Sequence, residues 1–583
     1  MLLNKKGATV QVTSILFRAG GSSEGEALTV EPKRVTVFIG PNNGGKSRAL
    51  IEILQKIAPS GHAEDLIFSR VETSDISEEE FEEKLSCLQR PKKAGEDANP
   101  NVMPLEGRGG RQLVDIPTLK SGLKPGAKAN VRQYAGQNFI RHFCLNLGGS
   151  NRLQLANSAP AEPITGNPSS TIGALFKDDA LRSRLSAIVN RAFEQFFVID
   201  PTQMPDLTPR LSTEEPPAGV EKQLSAEAAQ FFENCLPVKD ASDGTKAFIG
   251  ILSEVLAGDP DVLIIDEPEA FLHPSLSYLL GQQIASNARE GKQVFAATHS
   301  ASFLLGCVLS GADVDVIRLT YRSASATARH LPADRLKRLM TDPLFRSVGA
   351  VSALFFENAI VVEGDSDRAF YDEVNNRALR YSDGGIRHAT FLNAHNKQTV
   401  VNIVRPLRDI GIPAAFIFDL DWIKEDGQVW DRYFSALGAP LGLKGSMAAA
   451  RREVRRALEA ADPNYKRKGG LAVLCGEDRT TADAFFDQME EYGLFTVRSG
   501  ELECWLPQLA VERTKSKWLP SIFEAMGSDP ADPSYLKPGA DDVWAFLNRV
   551  QAWSINAARR GMGSPGASAK TPSAPNGGLP MPA

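Results

Sequence analysis

The sequence concentrates its chemistry in a glycine-rich run, an Asp-Glu pair closing an apolar stretch, and two further acidic clusters about fifty residues apart. Gly40-Pro41-Asn42-Asn43-Gly44-Gly45-Lys46-Ser47 matches G-x-x-x-x-G-K-[ST] in full. The apolar RVTVFI before it predicts a strand. Leu50, Ile51, Leu54 and Ile57 after it recur at helical spacing. In a strand–loop–helix of this kind, backbone N–H groups close around a phosphate, and the helix N-terminus favours the anion. Lys46 would bring charge to the β and γ oxygens, and Ser47 a hydroxyl for Mg²⁺. A plain glycine turn opening a helix is the alternative, and it loses ground as further segments are added.

VLIIDEPE places Asp266 and Glu267 at the end of a predicted strand. There an aspartate can hold Mg²⁺, usually through water, and the adjacent glutamate can orient or activate the attacking water. QVFAATHS places His299 just past the next strand, within range of a γ-phosphate. Ser242-Asp243-Gly244-Thr245-Lys246 opens a helix and, taken alone, reads as an ordinary capped start.

The second acidic region is of another kind. AIVVEGDSD ends a predicted strand with Glu363, Asp365 and Asp367, and FIFDLDWI ends another with Asp419 and Asp421. Carboxylates at i and i+2 on a strand share a face. Two parallel strands ending side by side would bring Glu363 to the Asp419/Asp421 pair at the carboxyl edge of a sheet, where open α/β folds place their sites. Hard oxygen ligands suit Mg²⁺ or Mn²⁺ and not zinc. Acidic turns capping two helices are the competing explanation. From Lys444 to Lys468, eight basic residues, among them Arg451, Arg452, Arg455 and Arg456, stand against Glu453, Glu459 and Asp462. That local excess reads equally as a phosphate-contacting surface or a solvated helix face.

The elements that must position these residues follow from periodicity. Residues 8–18 and 34–39 predict strands, and 174–196 a helix leading into FFVID. The Pro/Gly/Lys/Asn-rich stretch 91–130 predicts a long irregular loop. Segments 139–147 and 151–155 predict a hairpin. From 241 strands and helices alternate strictly, which implies a doubly wound, mostly parallel α/β sheet. Residues 318–355 read as a connector, and a second α/β unit follows, with further strand candidates at 471–475 and 494–497. We divide the chain into 1–355, with an insertion at about 60–240, then 356–560, and a Gly/Pro/Ser/Ala-rich tail from 561 expected to be disordered.

With 583 residues, 42% apolar and 23% charged, the chain is long enough for several cores. Its apolar runs are strand-sized, short of the roughly 20 residues a membrane span needs, and MLLNKKGATV lacks the pattern of a signal peptide. Six scattered cysteines without a CxxC pair suit a reducing cytoplasm. A net charge of −6 leaves any nucleic-acid contact to local patches.

The order of the first four segments resembles ABC-type ATPases of the SMC and DNA-repair class, with DEPEAFLHP typical of the soluble relatives. That resemblance puts Ser242 and Gly244 in the signature motif and implies two ATP sites shared between two heads, hence a homodimer or higher homo-oligomer. Gln154 is a candidate for the glutamine loop. The Glu363 strand, the helix and the D-x-D strand look like a Toprim domain. RSGELE (498–503), following LFTV, resembles the stretch after the last Toprim strand of OLD-family nucleases, which include the Gabija nuclease subunit. The whole order resembles that family over roughly residues 1–510. By that resemblance Glu363, Asp367, Asp419 and Asp421 are metal ligands, with Glu501 or Glu503 as a further one. Two-metal cleavage of a phosphodiester is the implied chemistry, and Lys466 or Lys468 the nearest candidate for the family's lysine. The resemblance further implies an ATP-controlled, Mg²⁺- or Mn²⁺-dependent endonuclease acting on double-stranded DNA in defence against phage or foreign DNA. A helicase or another defence-system protein is a conceivable partner. Cleavage of RNA such as tRNA and a non-nucleolytic SMC-like clamp remain open beside it. No long heptad repeat separates the nucleotide motifs, which weighs against the clamp.

Overall fold

A computed structural model describes residues 9–20, 27–59, 65–107, 110–124, 126–149, 151–163, 168–322, 325–347 and 349–562. The chain divides into two compact units, Met1–Phe356 and Glu357–Ala583. The first is built on six strands: β1 (Val35–Ile39), β2 (Cys144–Leu147), β3 (Val262–Asp266), β4 (Gln293–Ala297), β5 (Val314–Arg322) and β6 (Ser325–Leu331). Their order is β6-β5-β1-β4-β3-β2. All neighbours run parallel except β5 and β6. All five residues of β1 and of β4 are buried, and so are the first four of β3, as expected of central parallel strands covered on both faces.

The parallel register aligns the carboxyl ends. Asp266 lies opposite Ala297, and Ile265 opposite Leu147. The segments leaving β1, β3, β4 and β2 therefore emerge at one edge. β1 runs through the glycine loop into helix α1 (Lys46–Ile57). Gly40 has φ +140°, and a Cβ there would stand 2.0 Å from the Leu319 carbonyl oxygen, so only glycine fits. Helix α2 (Asp243–Leu256) begins at the Ser242 cap, and α3 (Pro274–Asn287) follows β3.

The second unit holds a four-stranded parallel sheet: β7 (Asn358–Val362), β8 (Ala389–Asn393), β9 (Ala414–Asp419) and β10 (Leu494–Val497), in the order β8-β7-β9-β10. Helix α4 (Asp365–Tyr381) follows β7, α5 (Lys397–Asp409) follows β8, and α6 (Lys444–Ala461) lies between β9 and β10. Ile360, Ile417 and Phe495 share a core with Trp505, Trp518, Trp544 and Trp553. The fold is thus mixed α/β with parallel-rich sheets in both units. Among the described residues no helix is long and apolar enough to cross a membrane.

Several expectations are corrected. Stretch 91–130 is not irregular: Val102–Gly107 and Gly110–Asp115 pair antiparallel, and helices Ile116–Gly122 and Ala129–Asn138 follow. Leu105 and Val114 join the core of Phe38 and Ile53, so a few well-placed apolar side chains outweigh the loop-like composition. The 139–155 hairpin does not form. Cys144–Leu147 pairs parallel with β3, and Asn151–Gln154 is a 3₁₀ turn. The supposed connector at 318–355 supplies the second half of β5 and all of β6, whose Leu319, Ala328 and Leu331 are buried. Residues 471–475 form no strand, since 470–473 is a 3₁₀ turn. The helix at 174–196 breaks at Asp178, which caps the second piece. Most of the tail expected to be disordered, 563–583, lies outside the described residues.

Candidate functional site

At the edge of the first sheet the structure brings Lys46, Ser47, Asp266, Glu267 and His299 together. Lys46 is buried, its Nζ donating to the Gly40 and Pro41 carbonyls at 2.9 and 2.7 Å. Burial pulls this ammonium down to about 8 against the neighbouring acids. Ser47 Oγ donates to Asp266 Oδ1 at 3.1 Å, pairing the hydroxyl and carboxylate that would hold Mg²⁺. Glu267 has φ +50°, and its N–H donates to the Ala297 carbonyl at 2.8 Å. Its carboxylate lies 3.8 Å from His299 Nε2. The backbone N–H of His299 is fixed by Glu269 Oε1 at 2.8 Å. Burial, then Lys46, lowers the pKa of the His299 imidazole.

Ser242 and Gly244 make their contacts elsewhere. Ser242 Oγ accepts from the Thr245 N–H, and a Cβ on Gly244 would meet the Phe271 carbonyl oxygen at 2.6 Å. Gly40–Gly45 form the loop around the Lys46 ammonium, with Asn43 in the left-handed region at φ +60°. Gln154 is exposed in its 3₁₀ turn.

In the second unit β7 and β9 run parallel and end side by side, as expected of the two acid-tipped strands, and Glu363 Oε1 accepts from the Asp419 N–H at 3.1 Å. Asp419 Oδ1 in turn accepts from the Leu502 N–H at 3.0 Å, tying the GELE segment to the same edge. β9 stops at Asp419, however, and Asp421 sits in the 3₁₀ turn Leu420–Lys424. The two aspartates do not share a strand face; they meet because Lys466 Nζ reaches both, at 3.1 and 3.0 Å. Lys466 also lies 3.5 Å from Glu501. Lys397, at the start of α5, pairs with Asp421 and lies 3.9 Å from Glu363.

A cavity of about 740 Å³ opens here, lined by Glu363, Asp367, Asp419 and Glu503 together with His395, Lys397, Gln398 and Lys515. Asp421 and Glu501 are turned instead toward Lys466. Burial raises Glu363 to about 8 and Asp367 to about 7, with Asp419 adding repulsion in both. Asp419 is raised by burial against the pull of Lys466. At Asp421 burial works upward, but Lys397 and Lys466 hold the carboxyl below its usual range. Among the described residues no three of these groups converge closely enough to chelate an ion as they stand, and Lys397 and Lys466 pair with Glu363, Asp419 and Asp421 instead. The donor set nevertheless fits a hard divalent cation, being all carboxylate oxygen and destabilised by its own crowding.

Sequence reasoning missed Lys397. Its signal was faint: a lysine directly after the Asn396 helix cap, at the end of a strand neighbouring β7. The basic stripe is corrected in part. Arg451 is fully buried and donates to the Ile423 carbonyl and Asp426, both at 2.8 Å. Arg455 pairs with Glu459, Lys468 with Asp462, and Lys466 with the acids. Arg452 and Arg456 remain exposed.

Two family models match the chain. The AAA_21 model, an AAA domain, matches residues 165–305, which contain Ser242, Gly244, Asp266, Glu267 and His299 but not the glycine loop. The TOPRIM domain of overcoming-lysogenization-defect-protein-like sequences matches residues 354–421, which include Glu363, Asp367, Asp419 and Asp421 and end before Glu501 and Glu503. The Old nuclease of Escherichia phage P2 is 26% identical over 172 residues, 28% of each chain. The Nod factor export ATP-binding protein I of Cupriavidus metallidurans is 28% identical over 129 residues, 22% of this chain and 38% of that protein. The chain thus matches well under half the length of either relative. Similar solved structures include an SmcHead bound to the C-winged helix domain of ScpA, at 11% identity and TM-score 0.33, covering 56% of this chain and 99% of that one. The SMC head domain from Thermotoga maritima is 11% identical at TM-score 0.29, covering 55% and 99%.

Proposed function

We propose that the chain, which carries an AAA domain followed by an OLD-like Toprim domain, is an OLD-family ATP-controlled, metal-dependent endonuclease that nicks or cleaves double-stranded DNA. The observation that carries this reading is the cavity at the ends of β7 and β9, where six carboxylates, Asp365 and Glu425 among them, share a wall with Lys397, His395 and Lys515. Carboxylates alone would repel a phosphodiester; the added cations let it enter. Glu363, Asp367, Asp419 and Glu503 would hold Mg²⁺ or Mn²⁺, with Asp421 and Glu501 behind them. Bound there, the metal supplies Lewis-acid stabilisation of the phosphodiester and a nucleophile at neutral pH. The chain's own part is positioning. The Leu502 N–H orients Asp419, the Asp419 N–H orients Glu363, and Lys397 brings positive charge to the cavity.

In the first unit, Lys46 would release the Gly40 and Pro41 carbonyls to take the β and γ oxygens of ATP. Ser47 and Asp266 would hold Mg²⁺, and Glu267 would orient water, with His299 at the γ-phosphate. Completion of this site by Ser242 and Gly244 of a second copy would make the active form a homodimer or larger. Action in the cytoplasm against phage or other foreign DNA, alone or with a helicase-type partner, is the setting this reading favours. The test is to incubate the protein with supercoiled plasmid and with total tRNA, each with Mg²⁺ or Mn²⁺, with and without ATP. Metal-dependent nicking of plasmid is expected, whereas cleavage of tRNA alone would move the substrate to RNA.

A further inference from the structure

Arg152 occupies a place that the nucleotide chemistry leaves unexplained. It follows β2 in the 3₁₀ turn Asn151–Gln154 and is buried to 2% exposure. Because β2 runs parallel beside β3, this turn meets the end of β3 where Asp266 and Glu267 stand. Nη1 donates to the Glu267 carbonyl at 2.5 Å, Nη2 to the Asp266 carbonyl at 2.6 Å, and Nε to the Gly149 carbonyl at 3.1 Å. Two successive carbonyls ordinarily point in different directions. Here they converge on one guanidinium because Glu267 is left-handed at φ +50°, a conformation rare for a residue with a long side chain.

The carboxylate itself is weakly held. The Glu267 side chain is 54% exposed, and its 3.8 Å separation from His299 is longer than a hydrogen bond. The point from which it projects is set by its backbone, which is pinned by the N–H bond to Ala297, by the Ala270 N–H on the Glu267 carbonyl at 3.0 Å and by the two carbonyl bonds to Arg152. Nor can the arginine readily withdraw. Helix α2 packs on its turn so closely that a Cβ on Gly250 would meet the Arg152 carbonyl oxygen at 2.8 Å.

We propose that Arg152 is a positioning residue for ATP hydrolysis: holding the Asp266 and Glu267 carbonyls on one guanidinium, it fixes the left-handed turn that aims the Glu267 carboxylate. The inference rests on the reading of Glu267 as the residue that orients the attacking water. Arg152 touches neither the nucleotide loop nor Ser47 through these bonds, so it acts on turnover and not on nucleotide capture. Lysine at 152 would keep a cation but lose the planar fork that serves two carbonyls at once.

The experiment compares R152M, R152K, E267Q and the double variant R152M/E267Q in the full chain, measuring kcat and KM for ATP and the Kd of a fluorescent ATP analogue. For R152M, kcat should fall by about tenfold or more with Kd within about threefold of wild type, and R152K should lie between. Because Arg152 works through Glu267, adding R152M to E267Q should lower kcat by less than about twofold more. Unchanged kcat in R152M or R152K overturns the proposal, as do multiplied losses in the double variant or a parallel loss of binding. Should R152M fail to fold, R152K alone decides, since it retains the buried charge. E267Q turning over at the wild-type rate would remove the Glu267 reading and this proposal with it. A slow E267Q beside a fast R152M would overturn this proposal alone.

Discussion

Lys292, just before β4, is 4% exposed, and its Nζ donates to the Glu254 and Gly258 carbonyls at 2.7 and 2.8 Å. Burial, then Arg289, pulls this ammonium from its ordinary 10.5 down to about 7, against the attraction of Glu254, Asp259 and Asp261. Below pH 7 the residue is charged folded and unfolded, and burying it costs the full difference, about 5 kcal/mol. Above pH 10.5 it is neutral in both states and the cost is gone. Between those values the unfolded chain holds more protons, so stability rises with pH, by about 3 kcal/mol from pH 7 to 9.5. Lys292→Met removes that titration but takes one donor from each of two carbonyls, Gly258 keeping Arg289 and Glu254 keeping the Gly258 N–H, at roughly 1 kcal/mol each. The two effects oppose each other at pH 7, which makes the pH slope the diagnostic quantity. All six tryptophans lie between 422 and 553, in the second unit, so their fluorescence follows that unit while far-UV circular dichroism also follows the first. Urea melts of both proteins at pH 7 and 9.5 should show the wild type gaining about 3 kcal/mol on the variant in the first unit only. Parallel pH profiles would refute the buried-ammonium argument.

Lys46→Ala should weaken ATP binding by about a hundredfold, since no other cation on the loop meets the phosphates, and equilibrium titration checks this. Glu267→Gln should leave binding near wild type and slow hydrolysis by about a hundredfold in single-turnover assays. Arg451→Ala should lower the urea midpoint of the tryptophan-reported unit, because it strips buried carbonyls of their donor at a cost of about 2–4 kcal/mol. Arg452→Ala with Arg456→Ala should leave that midpoint alone and weaken DNA binding in a salt-dependent manner. Hydrolysis per chain should rise with protein concentration if a second copy completes the ATP site. A rate independent of concentration, from a species that light scattering shows to be monomeric, would contradict that.

The parallel cores were legible because buried strands such as VLIID and AIVVE read as unbroken apolar runs between turn signals. Motif spacing likewise anticipated that the Glu363 and Asp419 strands end together. What the sequence hid depends on tertiary partners. Val102–Asp115 looks like loop until Leu105 and Val114 find the core. The stripe on α6 looks like a phosphate surface until Arg451 is seen to bind backbone carbonyls. Asp421 seems to lie on a strand with Asp419, but the chain turns at Leu420 and Lys466 reunites them. Lys397 and Arg152 belong to no local pattern; each gains its place from a neighbouring strand.

If the two units carry separable phosphate chemistries, Asp419→Ala should silence one and spare the other. Asp419 lines the cavity, orients Glu363 through its N–H and is itself held by Leu502. Alanine keeps the backbone N–H but deletes the carboxylate, and two-metal displacement fails when either ion is lost. Plasmid nicking and phosphate release should be followed on the same preparation of the variant, in Mg²⁺ and in Mn²⁺. Nicking should be abolished in both metals, with ATP hydrolysis within about threefold of wild type, as for sites that share no residue or bonding partner. Persistent metal-dependent nicking by purified Asp419→Ala would mean that the Glu363/Asp419 cavity is not the nuclease site.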